Sequence, residues 1–327
     1  MDQVEHRTIE TNGIRMHLAE QGAGPLVVLC HGFPESWYSW RHQLKALAEA
    51  GFHAVAPDMR GYGKTDRPEA IDQYTLFHLV GDMVGLLDAL KVETAVIAGH
   101  DWGGPVAWHS ALFRPDRFRA VIGLSTPYGP PGTARPSTVM PRTDAALFYQ
   151  LYFQTPGVAE ADLERDPLGT IHRFLYFASG DAPRGIGGPF EAGPGAGMVD
   201  RKTGLVGGMP DPARLPAWLT GADLEFYAGE FARTGFRGGL NWYRNIDRNW
   251  ELRAPFAGAK VSVPALYVAG DRDVVVSFPG VAQVLANLPN VVPQLRKSIM
   301  LPGCGHWTQQ ERAAEVNTAM IEFLNGL

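Results

Sequence analysis

Short apolar runs alternate with amphipathic segments through residues 1–128 of this 327-residue chain. Segment 25–30 is apolar throughout, which is typical of a strand buried on both faces of a sheet. Between Thr75 and Leu90, apolar residues recur at helical spacing, which predicts an amphipathic helix. Strands that alternate with helices favour a parallel sheet covered by helices on both faces. The predicted strands are 6–10, 14–20, 25–30, 53–56, 95–98 and 120–124, and the predicted helices are 37–49, 75–90 and 105–113.

This alternation stops after residue 128 and returns near residue 263. The interval predicts helical pieces at 145–153, 168–178 and 223–233 without apolar strands, and segment 180–212 is so rich in Gly and Pro that it predicts a long loop. The end of the chain predicts strands at 263–270 and 297–301 and a closing helix at 313–324. We therefore expect an α/β core formed by 1–128 and 246–327, with 129–245 inserted as a helical cap.

The composition and net charge of the chain exclude some classes of function. Hydrophobic residues make up 45% of the chain, which is enough for a large core. The net charge of −5 gives no basic footprint for nucleic acid, and no apolar run is long enough to span a membrane. The chain has two cysteines and no apolar signal core after Met1, so we expect a protein of the reducing cytoplasm.

The segment around Asp101 carries the strongest chemical signal. Asp101 stands between Gly99 and Gly103 in a Gly-x-Asp-x-Gly turn, after a predicted strand and before a predicted helix. Strand, sharp turn and helix form the context of a nucleophile elbow, here with aspartate where a serine hydrolase has serine. The free N–H groups at the start of the helix favour an ionised carboxylate. An ordinary turn aspartate is the alternative interpretation.

Two further residues fit a catalytic triad with Asp101. Asp273 and His306 each follow a predicted strand, and the order nucleophile, acid, histidine is that of the α/β-hydrolases. Asp271 is the alternative acid. Ser125 stands after the strand that ends at Leu124, where some relatives carry the acid, so that variant is not expected.

These pieces together resemble the α/β-hydrolase family and, within it, the soluble epoxide hydrolases. The resemblance implies that Asp101 is the nucleophile, His306 the base and Asp273 its orienting acid. It also implies that Tyr149 and Tyr243 are the acids of the cap. Tyr152, one helical turn from Tyr149, is the alternative. The motifs that carry the resemblance are His-Gly-Phe-Pro-Glu-Ser at 31–36, Asp-x-Arg-Gly-Tyr-Gly at 58–63, Gly-His-Asp-Trp-Gly at 99–103, Phe-Tyr-Gln-Leu-Tyr-Phe-Gln-Thr-Pro-Gly at 148–157, Asn-Trp-Tyr-Arg-Asn at 241–245 and Gly-His-Trp-Thr-Gln at 305–309.

The same resemblance implies a reaction and its surroundings. The expected reaction is hydrolysis of apolar epoxides to vicinal diols, with water as the second substrate and with no cofactor or metal. The backbone N–H groups of Phe33 and Trp102 are the expected oxyanion donors, and a cis peptide bond before Pro34 would fix the loop that carries Phe33. A homodimer is compatible with the resemblance. The expected pocket residues are Phe33, Trp102, Gln150, Tyr152 and Trp307.

Other functions fit part of the pattern. A haloalkane or haloacid dehalogenase could use Asp101 and Trp102, but the two cap tyrosines favour an epoxide. A serine esterase is not expected, because the elbow holds no serine. A protein that binds a small ligand without catalysis is the third alternative, since a fold alone does not fix a function.

Glu35 is expected only to order the loop that carries the oxyanion donor Phe33.

Overall fold

An eight-stranded sheet forms the centre of the computed structural model, which describes residues 3–183, 189 and 195–327. The strand order is β1-β2-β4-β3-β5-β6-β9-β10. Strands β1 and β2 pair antiparallel, β2 pairs antiparallel with β4, and the remaining neighbours are parallel. The strands of this sheet are β1 Glu5–Thr11, β2 Ile14–Gln21, β3 Leu26–Cys30, β4 His53–Pro57, β5 Ala95–His100, β6 Phe118–Leu124, β9 Ala265–Gly270 and β10 Leu295–Leu301.

The predicted alternation of strands and helices is confirmed in this sheet. The hairpin turns at Asn12 and Gly13, where φ is 43° and 77°, the pair of positive values that a tight hairpin turn demands. The long helices of the described residues are α1 Arg41–Glu49, α2 Leu76–Leu90, α3 Gly103–Phe113, α7 Pro167–Phe177, α9 Gly221–Thr234, α12 Val281–Val291 and α14 Ala313–Asn325, and the four-residue α13 Thr308–Glu311 lies just before α14.

The apolar strands are buried on both faces, as their sequences predict. Val27 packs into one apolar cluster and Val28 into the other, because successive side chains of a strand point to opposite faces. Helices α1 and α14 contribute to the cluster that contains Val27, and α2 and α3 contribute to the other. Both layers are therefore needed to cover the sheet, and the carboxyl ends of its central strands are left to form a site.

Between β6 and β9 the structure departs from the prediction of helices alone. Strands β7 Ala146–Phe148 and β8 Met198–Asp200 pair antiparallel. The predicted helix at 145–153 is therefore wrong in its first half, because residues far apart in sequence pair there and override the local helical spacing. The short helices of this part of the chain are α4 Pro136–Val139, α5 Tyr149–Tyr152, α6 Val158–Leu163, α8 Gly204–Gly207, α10 Arg237–Arg244 and α11 Ile246–Leu252.

The prediction of one loop over 180–212 is also wrong in part, because β8 and α8 lie within it. Residues 184–188 and 190–194 of that segment lie outside the described residues. The domain boundaries at 128 and 245 stay a prediction, since α10 and α11 meet at Asn245 without a break. None of the helices in the described part of the chain is long and apolar enough to cross a membrane.

Candidate active site

Asp101 occupies a strained turn at the carboxyl end of β5. Its φ is +51°, a left-handed conformation that costs an aspartate of the order of 1–3 kcal/mol. The flanking glycines allow the turn to close. A Cβ on Gly99 would overlap the carbonyl group of Gly103, and a Cβ on Gly103 would overlap the carbonyl group of Cys30. The chain here thus forms the predicted elbow, which presents the Asp101 side chain with 14% of its surface exposed.

The loop after β3 places a backbone donor on this carboxylate. The N–H of Phe33 donates to Oδ1 of Asp101 at 2.7 Å, and the peptide bond before Pro34 is cis, as expected. Trp102 is the N-cap of α3, so its N–H is one of the donors that the helix itself leaves unpaired. Of the two expected oxyanion donors, that of Phe33 contacts the Asp101 carboxylate, and that of Trp102 follows Asp101 directly in the chain.

A buried pair behind the loop fixes its position. Oε2 of Glu35 accepts the N–H of Gly32 at 2.9 Å and faces Nδ1 of His100 at 2.8 Å. The other ring nitrogen of His100 lies 2.7 Å from the carbonyl oxygen of His306. Glu35 therefore orders the oxyanion loop, as expected, and His100 connects that loop to the histidine of the site.

His306 lies between two carboxylates. Its Nδ1 is 3.0 Å from Oδ1 of Asp273, and its Nε2 is 3.4 Å from Oδ2 of Asp101. Asp273 is fully buried, and its Oδ1 also accepts the N–H of Val275 at 2.9 Å. Asp271, the alternative acid, is exposed and accepts the N–H of Gly303 instead. The structure thus brings Asp273, and not Asp271, to the histidine.

The positive charge of His306 and the negative charges of Asp101 and Asp273 stabilise one another. Burial alone would raise the pKa of Asp101, but the hydrogen bond and the charge of His306 outweigh burial and lower it. Burial would lower the pKa of His306, yet Asp273 and Asp101 raise it well above its usual value. In the free protein the geometry therefore favours a carboxylate at 101 beside an imidazolium at 306.

Tyr149 and Tyr243 meet opposite the elbow. Their ring centroids are 5.8 Å apart, and the ring of Tyr243 lies 5.2 Å from that of Trp102. Burial and then the negative charge of Asp101 raise the pKa of both phenols above the usual value of 10. Gln150 donates to the Tyr149 hydroxyl at 3.0 Å. Both phenols therefore hold their protons in the cavity that Asp101 also lines.

Tyr152, the alternative to Tyr149, points away from this site. Its hydroxyl donates to Oδ2 of Asp162 at 3.0 Å. The same carboxylate accepts the backbone N–H groups of Leu205 and Val206. Tyr152 is not among the residues that line the two cavities described next, and its contacts lie within the segment between β6 and β9, here called the inserted segment. Its expected role as a pocket residue stays a prediction.

Two cavities meet at Asp101 and Tyr149. The smaller has a volume of about 40 Å³, and its wall includes Tyr243 and His306. The larger is a chamber of about 420 Å³, which also has Asp101 and Tyr149 in its wall. The expected pocket residues divide between them: Phe33 and Trp307 line the small cavity, whereas Trp102 and Gln150 line the chamber.

One residue that the sequence reasoning missed is Glu311. Its Oε2 accepts the N–H groups of Gly180 and Gly305 at 2.8 Å each, and its Oε1 accepts that of Trp307 at 3.0 Å. It therefore holds the backbone on both sides of His306 and ties it to the turn after α7. A glutamate five residues beyond a histidine carries no spacing signal, so only the folded chain reveals this role.

Comparison with known proteins agrees with this fold. A family model described as alpha/beta hydrolase fold matches residues 25–180. Epoxide hydrolase A of Mycobacterium tuberculosis is 45% identical over 98% of this chain and 97% of its own length. Epoxide hydrolase 3 of Siraitia grosvenorii is 43% identical over 99% of both chains. A solved epoxide hydrolase from an endophytic Streptomyces superposes with a TM-score of 0.93 at 46% identity, over 99% of this chain and 96% of that one. The chain therefore belongs to the epoxide hydrolases of the α/β-hydrolase fold.

Proposed function

We propose that this protein hydrolyses epoxides to vicinal diols through a covalent ester on Asp101. The observation that carries the proposal is the small cavity, where the carboxylate of Asp101, the ring of His306 and the phenols of Tyr149 and Tyr243 line one space. The activity named for the relatives supports it. The two phenols favour an epoxide over a haloalkane, because a halide leaves as a stable anion and an alkoxide needs a proton.

The first step is ring opening by Asp101. Its Oδ1 accepts the N–H of Phe33 at 2.7 Å, whereas Oδ2 has only the longer, 3.4 Å contact with Nε2 of His306, so Oδ2 is the oxygen that attacks an epoxide carbon. The C–O bond of the ring breaks as the new C–O bond forms, and the negative charge passes to the epoxide oxygen. Tyr149 and Tyr243 donate hydrogen bonds to that oxygen, and one of them gives it a proton. A positioned acid of this kind contributes about 10²- to 10⁴-fold to a rate.

The second step is hydrolysis of the ester. His306 takes a proton from water, and the hydroxide attacks the ester carbonyl carbon. The carbonyl oxygen is Oδ1, which already lies on the N–H of Phe33, so the charge of the tetrahedral intermediate develops where a donor is waiting. Trp102 is the proposed second donor. Collapse of the intermediate breaks the bond between the carbonyl carbon and Oδ2. Oδ2 leaves with the diol and takes the proton of the added hydroxyl group, so the oxygen from water stays in the restored Asp101 carboxylate.

Ester formation itself prepares His306 for this role. The hydrogen bond and the charge of Asp101 are two of the causes that raise the pKa of His306. Esterification removes the negative charge from Asp101, so part of that support is lost. The imidazolium then gives up its proton more readily, for example to the tyrosinate left by the first step, and becomes the base that the second step needs.

All of these residues come from one chain, so the chemistry does not require the homodimer, which stays a prediction. The chamber lining is mainly aromatic and aliphatic, which supports apolar epoxides as substrates.

Both cysteines are buried and free, as is usual in a reducing compartment, and we propose the cytoplasm on that ground.

A single turnover in oxygen-isotope-labelled water tests the covalent route. With enzyme in excess over epoxide, we expect the label in Asp101 and unlabelled oxygen in the first diol. Mass spectrometry of the diol and of the peptide that contains Asp101 measures both. Label in the first diol would instead mean direct attack by water, and the ester would have to be abandoned.

A further inference from the structure

The large chamber extends from the nucleophile along one face of α3. Trp102, Pro105 and His109 all line it, and these positions lie one above another on a helix. From Trp102 to His109 the helix axis advances about 10 Å. The wall along the way is largely apolar and includes Met140 and Val284. A substrate with its epoxide at Asp101 can therefore extend a chain toward His109.

His109 offers an acceptor at that distance. It is only 4% exposed, and its Nδ1 lies 2.6 Å from the carbonyl oxygen of Pro105, which can only accept, so Nδ1 carries the hydrogen. Its Nε2 is buried and has no hydrogen-bond partner in the described part of the chain. Burial, and then the charge of Arg253, lower the pKa of His109 to about 3. The ring is neutral, and Nε2 presents a lone pair.

Arg253 offers donors to the same chamber. It directly follows α11, and one of its terminal N–H groups donates to the carbonyl oxygen of Gly129 at 2.7 Å. Among residues 3–183, 189 and 195–327, no carboxylate lies within ion-pair distance of its guanidinium group. A guanidinium group has five N–H donors, so Arg253 retains donors for a ligand.

We propose that Arg253 and His109 form a subsite for a hydroxyl group at the far end of the substrate, so that the enzyme prefers epoxides that carry an alcohol on an apolar chain. This proposal rests on the proposed epoxide hydrolysis. A hydroxyl oxygen accepts from Arg253 while its hydrogen is donated to Nε2 of His109. The pair thus satisfies both atoms, which is what buried polar groups require.

Other end groups fit the pair less well. A carboxylate suits the charge of Arg253 but cannot donate, and it would set its lone pairs against that of His109. An ammonium group could donate to His109, but it would be repelled by Arg253. A methyl end would leave Nε2 of His109 and the remaining N–H donors of Arg253 without a ligand partner, which costs free energy for each buried group.

A matched set of terminal epoxides tests this subsite. Each molecule has the epoxide at one end and a hydroxyl, a carboxylate, an amine or a methyl group at the other, over a series of chain lengths. We expect kcat/KM for the alcohol to exceed that for the methyl compound by about tenfold at the best length. The gain should appear mainly in KM, because the contact lies away from the reacting atoms.

Two variants test each half of the pair. His109→Phe keeps the ring packing against Phe113 and Tyr128 but removes Nε2, and Arg253→Met keeps an apolar stem without the guanidinium group. Each should reduce the preference for the alcohol to near one, while the methyl compound is still turned over. Arg248→Met is the matched control, because it removes an exposed positive charge from α11 and should leave the preference unchanged.

The outcomes separate the subsite from the reaction. Equal kcat/KM for alcohol and methyl compounds in the wild type, with diol formed from both, would overturn the subsite and leave epoxide hydrolysis intact. A carboxylate preferred over the alcohol would also overturn it, because His109 would then have no part. No diol from any of the compounds would contradict the proposed function itself. If His109→Phe loses turnover of every substrate, Arg253→Met alone decides.

Discussion

The two halves of the active site are built in different ways. The half on the main sheet places Asp101, Asp273 and His306 after β5, β9 and β10 and holds them with hydrogen bonds of 2.7 and 3.0 Å and an ion-pair contact of 3.4 Å. The half on the inserted segment places Tyr149 on α5 and Tyr243 on α10, and ring contacts hold them. The ring of Tyr243, for example, lies 4.9 Å from that of Phe153 and 5.5 Å from that of Phe33.

The sheet side thus holds the charged groups of the proposed mechanism, and the inserted segment holds its proton donors. Ionised groups need fixed, directional partners, and the ends of parallel strands supply them. A phenol that must stay protonated needs the opposite, an apolar enclosure near a negative charge, which the aromatic cluster provides. In the proposed mechanism the sheet side therefore serves both chemical steps, whereas the tyrosines are needed only when the ring opens. Substitutions on the two sides should therefore stop the reaction at different points.

The largest effect is expected from removal of both acids. In Tyr149→Phe combined with Tyr243→Phe, the epoxide oxygen receives no proton, and ester formation should slow by about 10⁴-fold. Rapid-quench measurement of the ester on Asp101 would check this. Tyr152→Phe, on the same short helix, removes a hydroxyl that bonds only within the inserted segment and should leave the rate nearly unchanged. Normal ester formation in the double variant would remove the tyrosines from the mechanism.

A smaller effect at the other step is expected from the sheet side. Asp273→Asn takes away the charge that orients His306 and raises its pKa, so ester hydrolysis should slow by about 10²- to 10³-fold. Ester formation should change far less, and the ester should accumulate in the steady state. Asp271→Asn is the matched control, since Asp271 bonds only the N–H of Gly303. If the ester does not accumulate, Asp273 does not act through the second step.

The sequence predicted the sheet side of the site better than the inserted segment. The elbow at Asp101 follows from local features, because a strand, two glycines and a helix start are adjacent in the chain. The role of Tyr149 follows only from the family resemblance, and the helix expected around it is half strand, since β7 depends on pairing with β8 about fifty residues later. Residues that act through burial are harder still to predict. His109 and Arg253 are far apart in sequence. The role of Glu311 depends on backbone N–H groups that only the folded chain brings to it.

Glu311 contacts both halves of the site, because it accepts N–H groups from Gly180 and from Gly305. Its titration is expected to give the smallest effect of the three predictions, a change of stability with pH whose direction is defined. Burial, which three backbone N–H donors only partly offset, raises the pKa of Glu311 to about 7 from an ordinary value of 4.5. A raised pKa means that the folded chain binds the proton more tightly than the unfolded chain. The contribution of protonated Glu311 to the free energy of unfolding is therefore complete below pH 4.5. It is lost as the pH rises through 7, and the loss is on the order of 3 kcal/mol.

Glu311→Gln should remove this pH dependence, because the amide does not titrate. Urea unfolding at several pH values between 4.5 and 8 would measure the free energy of unfolding of both proteins. We expect the wild type to lose stability relative to Glu311→Gln as the pH rises, whereas the exposed Glu315→Gln should follow the wild type. A wild type that instead gains stability on that scale would mean that the donors of Gly180, Gly305 and Trp307 outweigh burial. Glu311 would then hold the His306 loop to the turn after α7 as a permanent carboxylate.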